Sequence, residues 1–154
     1  MKPWAAFGGA VSIACSGEPT ALITQSDLSG DALMTPLTQL PGDAERGRTI
    51  FADRDTGHCV LCHVVDELDV EFQGNVGPDL SWVGDRLSAG QLRLRIVDYQ
   101  LVTPGALMPS YYRTHDLYQV GDAFQDETIL AAEQVEDLVA YLGQLKKADA
   151  DNDS

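Results

Sequence analysis

The chain is short of the residues that carry most protein chemistry. Three histidines, three cysteines and three methionines are spread over 154 residues. The histidines stand at 58, 63 and 115, and the cysteines at 15, 59 and 62. There is no second cysteine pair, so a four-ligand zinc site would lack donors. Base is scarce too: 10 Lys and Arg stand against 24 Asp and Glu, a formal charge of −14. That balance excludes attraction to nucleic-acid phosphates or to an anionic membrane surface. It suits a partner with a basic docking face, and it serves solubility equally well. No apolar run approaches the ~20 residues that cross a bilayer. No segment keeps the alternation of a sheet, and no internal repeat is visible. Apolar residues still make up 44%, enough for one small core.

What is present is concentrated in Cys59-Val60-Leu61-Cys62-His63. A Cys-x-x-Cys-His run is the attachment signature of a c-type haem. Two thiols three positions apart can bond to the two vinyl groups of one porphyrin, and the next imidazole then meets the iron. A redox dithiol needs no following histidine, and it normally follows a strand, which is missing here. Cys59 and Cys62 are therefore read as thioether anchors for one covalent haem c, and His63 as an axial ligand. The other ring nitrogen of His63 needs an acceptor to fix its tautomer. The carbonyl of Pro78, held by a rigid turn, is the candidate. His58 is read as a loop histidine.

A second axial ligand has to come from elsewhere. Met34, Met108, His115 and an open position are the alternatives. Met108 is preferred, because it lies in a loop before Pro109, far in sequence from His63. A thioether opposite an imidazole favours ferrous iron and raises the potential. Arg86 is the candidate partner for a haem propionate, with Arg93, Arg95 and Arg113 able to do the same. Tyr112, Tyr111 and Trp82 are candidates to pack on the porphyrin. With both axial positions filled, the iron has no room for substrate. The chain would then move single electrons, with no catalytic residue of its own.

The N-terminus points to export. Lys2 and the stretch from Trp4 to Ala14 resemble a short secretory signal, with Ser12 and Ala14 where small residues are wanted. Residues 1–17 are read as that segment, and the periplasm as the destination. Lipidation at Cys15 would need a bulky aliphatic residue three positions earlier, where Ser12 stands.

Residues 18–42 form an irregular arm, broken by Gly30, Pro36, Pro41 and Gly42, with Leu33, Met34, Leu37 and Leu40 tacking it to the domain. The domain spans 43–148, and 149–154 is a disordered tail. Asp43 caps a helix from Ala44 to about Asp53. Gly47 lies mid-helix, which requires something packed closely against it. Residues 77–84 read as turn. Ser88 and Gln91 form a capping box before a helix whose face carries Leu92, Ile96 and Tyr99. The last helix carries Val135, Leu138, Val139 and Leu142 at helical spacing. Its acids Glu133, Glu136 and Asp137 come early and Lys146 and Lys147 late, matching the helix dipole. The expected fold is all-α, with three to four helices around the haem.

Longer motifs sharpen this reading. They are Gly42-Asp43-Ala44-Glu45-Arg46-Gly47-Arg48, Gln73-Gly74-Asn75-Val76-Gly77-Pro78-Asp79-Leu80-Ser81, and Met108-Pro109-Ser110-Tyr111-Tyr112-Arg113. Together with the haem motif they resemble the SoxX family, the small monohaem subunit of the SoxAX cytochrome complex of sulfur oxidation. The resemblance spans residues 42 to 146. It implies a class I cytochrome c fold with crossing first and last helices, and His63 and Met108 as axial ligands. It also implies a SoxA-like larger cytochrome as partner, which carries the catalytic haem. That complex, an L-cysteine S-thiosulfotransferase, couples thiosulfate to a cysteine of a SoxYZ-like carrier. This chain would relay the electrons to a soluble cytochrome. The alternative is a free-standing periplasmic monohaem carrier with no sulfur role.

Overall fold

Asp43 begins the helical part of the molecule. In the computed structural model, which describes residues 22–117, 121–122 and 125–147, four α-helices follow it. They are α1 (Ala44–Ala52), α2 (Val83–Arg86), α3 (Ala89–Asp98) and α4 (Ala132–Gln144). The one β pairing among the described residues is an isolated bridge between Ser29 and Ala32. The export segment 1–17 with Cys15, and the tail 149–154, lie outside the described residues.

The first and last helices cross at Gly47. A methyl group there would overlap the Asp137 carbonyl of α4, so only glycine allows the approach. This is the close packing that a mid-helix glycine requires. The carboxylate of Asp43 accepts the Arg46 N–H at 3.0 Å and caps α1. Asp137, buried on α4, accepts the Asp43 N–H at 2.7 Å and both Arg46 Nε and Nη2 at 2.8 Å. Burial opposes the charge on Asp137, but the Arg46 guanidinium and the Asp43 N–H outweigh it. Its carboxyl is held below the usual range. Beside this contact the Phe51 and Tyr141 rings meet edge to face at 5.7 Å.

α3 starts as its capping box dictates: the Ser88 side chain accepts the Gln91 N–H, and Gln91 Oε1 accepts the Ser88 N–H at 3.0 Å. Leu92, Leu94, Ile96 and Val97 are buried. On α4, Val135, Leu138, Val139 and Leu142 are buried as their spacing requires. Two features of α4 differ from expectation. Glu136 and Asp137 do not serve the dipole; both are buried and paired to arginines. Lys146 and Lys147 lie beyond Gln144, and Lys147 sits over the Trp82 ring at 5.2 Å. The stretch expected as turn at 77–84 also runs into α2, which buries Val83.

The arm is fastened by polarity more than by its apolar residues. Leu33 is buried and Leu37 partly so, but Met34 and Leu40 are 62% and 79% exposed and do not anchor it. Arg93 Nη1 instead donates to the Leu33 carbonyl at 2.8 Å, while its Nε and Nη2 hold Glu136 at 2.7 and 2.8 Å. Glu136 in turn accepts the Leu37 N–H at 2.8 Å. Every polar atom that this buried pair brings inside has a partner, which offsets the cost of desolvating it.

Candidate haem site

Three segments converge on one cavity of about 570 Å³. That lies within the ~300–1,000 Å³ of typical cofactor sites. The segments are the turn at 58–63, the loop at 76–80 and the loop at 106–109, with Leu92 and Ile96 of α3 completing the wall.

The turn is built by backbone. His58 takes a left-handed φ of 56° and opens a 3₁₀ turn over Cys59–Leu61. The His63 N–H closes it on the Cys59 carbonyl at 2.9 Å. This places Cys59, Cys62 and His63 on the same cavity. Both thiols are free. Cys59 lines the cavity, and burial pushes its thiol up to about 12. His63 is buried, and its Nδ1 lies 2.8 Å from the Pro78 carbonyl. A carbonyl can only accept, so Nδ1 carries the proton and Nε2 keeps its lone pair.

The following loop is stitched onto that turn. Gly74, Gly77 and Leu80 donate to the carbonyls of Val60, Cys62 and Val64 at 2.9, 2.8 and 2.9 Å. Gly77 lies flat against the His63 ring, where a methyl would overlap the imidazole. Gln73 fills the gap beneath: it accepts the Val65 N–H at 2.8 Å and donates to the Leu68 carbonyl at 2.9 Å. Asp79 accepts from both the Ser81 hydroxyl and the Ser81 N–H, and these two bonds hold its carboxyl below the usual range. The Ser81 oxygen also accepts the Asp66 N–H at 2.9 Å.

Of the three candidates for a second axial donor, Met108 alone lines this cavity. Met34 projects to solvent against Gly90, and His115 lies elsewhere, half-buried. Arg86 is on the cavity, its Nη2 held by the Asp79 carbonyl at 2.8 Å. Arg95 is there too, paired with Asp31 at 3.0 Å. Arg93 and Arg113 are engaged away from it, with Glu136 and Asp98. Tyr112 is not brought to the cavity wall. Its N–H bonds to the Val97 carbonyl and its ring sits half-buried off the cavity. Tyr111, bonded to the preceding Ile96 carbonyl, is buried and takes the place on the wall. Burial raises its phenol well above the usual range, so it stays protonated. Trp82 is likewise off the cavity.

Two thiols, an imidazole with a free Nε2 and a thioether on one apolar cavity are the donor set of a c-type haem. Sequence reasoning missed Gln73, Ser81 and Gln100, which hold the loops that carry Pro78 and Met108. The only signal for the first two was their place in the Gln73–Ser81 motif, which gives no role.

The chain belongs to the cytochrome c family: the model of that family matches residues 44–146. Its fold is the all-α class I cytochrome c fold. Within the family it is a SoxX-like monohaem c-type cytochrome, homologous to SoxXA. The crystal structure of SoxXA from P. pantotrophus contains a chain 35% identical to it, covering 77% of this chain and 93% of that one, with a TM-score of 0.71. The c-type cytochrome SorU from Sinorhizobium meliloti matches at 21% identity over 67% of this chain and 90% of that one, with a TM-score of 0.44. No curated protein matches significantly. No helix among the described residues is long and apolar enough to cross a membrane.

Proposed function

We propose that this chain is the electron-relay subunit of a periplasmic thiosulfate-oxidising complex, paired with a SoxA-like larger cytochrome. The observation that supports this most is the 35% identity to a chain of SoxXA over 93% of that chain's length. The geometry of the cavity agrees with a relay. Cys59 and Cys62 would hold the haem through thioethers, and His63 Nε2 and the Met108 sulfur would be its axial donors. Arg86 would neutralise a propionate, and the buried Tyr111 ring would pack on the porphyrin. When bound, the haem supplies one-electron iron chemistry.

The residues of the chain set the terms of that chemistry. Pro78 fixes the His63 tautomer, which raises the basicity of the ligating nitrogen. A thioether as second donor favours the reduced state. Leu92, Ile96 and Leu142 keep the cavity apolar. Cys59 and Cys62 are committed to attachment, so the sulfur chemistry belongs to the partners. Thiosulfate joins a cysteine sulfur of a SoxYZ-like carrier with loss of one thiol proton and two electrons. This subunit would pass those electrons singly to a soluble cytochrome.

Co-expression with a SoxA-like cytochrome tests the proposal. A stable heterodimer that reduces a soluble cytochrome only when thiosulfate and carrier are present is the expected result. A chain that elutes alone beside that candidate, yet exchanges electrons with the soluble cytochrome, would instead be a free-standing carrier.

A further inference from the structure

Gln100 sits where the chain leaves α3 for the loop that carries Met108. α3 ends at Asp98, and a 3₁₀ turn covers Tyr99–Leu101. From that turn the Gln100 side chain reaches across to the loop. Its Nε2 donates to the Ala106 carbonyl at 2.7 Å, and its Oε1 accepts the Gly105 N–H at 2.8 Å. One amide therefore pairs a donor and an acceptor of neighbouring residues in a segment with no helix or strand of its own. Ala106, Leu107 and Met108 all line the cavity. Leu107 adds no apolar anchor, since it is 89% exposed, and Met108 is only partly buried against the core.

Behind Gln100 stands buried Asp98. One of its oxygens accepts the Gln100 N–H at 3.0 Å and the Ser110 hydroxyl at 2.5 Å. Arg113 Nη1 meets the other at 3.1 Å. Both ends of the 100–110 loop are thus tied to one carboxylate, and its middle is tied to one amide.

We propose that Gln100 is a positioning residue for the axial sulfur: it keeps the Met108 loop closed and so sets how readily the sixth position opens. The proposal rests on the reading of Met108 as axial ligand. Its test compares Gln100→Ala, Gln100→Glu and Met108→Ala with the parent, all as haem-loaded protein. The measurements are haem content, the thioether-to-iron charge-transfer band of the ferric form, and the rate of imidazole binding to that form. Gln100→Ala is expected to keep its haem and to bind imidazole roughly ten- to a hundredfold faster, the scale of its two lost hydrogen bonds. Gln100→Glu keeps the acceptor for Gly105 but loses the donor to Ala106, and is expected to fall between. Arg46→Gln, at the α1–α4 crossing and away from the cavity, should leave the imidazole rate unchanged.

Parent-like imidazole rates in Gln100→Ala, alongside an opened Met108→Ala, would overturn the positioning role and spare the ligand assignment. A Met108→Ala protein with the parent's band and rate would overturn both. If Gln100→Ala yields no holoprotein, Gln100→Glu decides: a parent-like rate there also overturns the proposal.

Discussion

The two walls of the cavity that carry His63 and Met108 are held by different means. On the His63 side the main chain does most of the holding, with the Gln73 and Ser81 side chains beneath it. Three N–H groups of the 74–80 segment donate to carbonyls of residues 60–64, and a fixed carbonyl meets the imidazole. On the Met108 side the main chain has few partners, and the side chains of Gln100 and Asp98 take their place. Main-chain stitching survives most substitutions. Support from single side chains can be removed by one. The comparison teaches that the His63 imidazole is held rigidly in this site and the Met108 sulfur adjustably.

The largest effect should follow from breaking the fixed wall. Gly77→Ala puts a methyl into the His63 ring. The expected outcome is loss of most holoprotein, read from covalent haem per polypeptide after export. The adjustable wall should break more gently. Met108→Ala is expected to retain the haem and the helical content, to lower the reduction potential, and to bind carbon monoxide in the ferrous form. Redox titration and absorption spectra check this, and a parent-like potential would remove Met108 as ligand.

A smaller effect sharpens the contrast. Gln73→Ala leaves the Val65 N–H without a partner and takes one of two donors from the Leu68 carbonyl, which keeps the Val70 N–H. A loss of about 1–3 kcal/mol is expected in denaturant unfolding, the cost of unsatisfied buried groups. The potential should move little, because the Pro78 contact is separate.

The smallest effect lies away from both walls, at the α1–α4 crossing. The folded pKa of Asp137 is below its ordinary value of 3.8, so its stabilisation is complete above that value. It is lost as pH falls below 3.8 through the folded pKa. Arg46→Gln removes the main cause of the depression. The acid-unfolding midpoint should move to higher pH, with the spectrum at neutral pH unchanged.

Local signals carried much of this structure in the sequence. The Asp43 cap, the Ser88–Gln91 box and the periodicity of α4 depend on residues within one or two turns, and all three stand where they were expected. Gly47 announced a close neighbour, though only the fold names Asp137 as that neighbour. The His63–Pro78 hydrogen bond was legible because ligating imidazoles need an acceptor and a proline carbonyl stood nearby. Pairings between distant segments were not legible. Arg93 stood as one more candidate for a propionate until Glu136, 43 residues away, closed around it. Tyr111 and Tyr112 are equivalent as letters, and only the pairing with Ile96 and Val97 decides which ring enters the cavity. Met34 and Leu40 looked like anchors because an apolar letter carries no record of which side it faces.

The Arg93–Glu136 pair has a dynamic consequence. Leu33 and Leu37 of the arm hang from the same two charges that join α3 to α4. Lifting the arm would break one hydrogen bond to each partner of the pair while Arg93 and Glu136 stay bonded to each other. Arm release is therefore coupled to the α3–α4 contact through the two side chains they share. Amide hydrogen exchange at Leu37 should track the slow amides of α3 and α4, although the residue belongs to a segment of almost no regular structure.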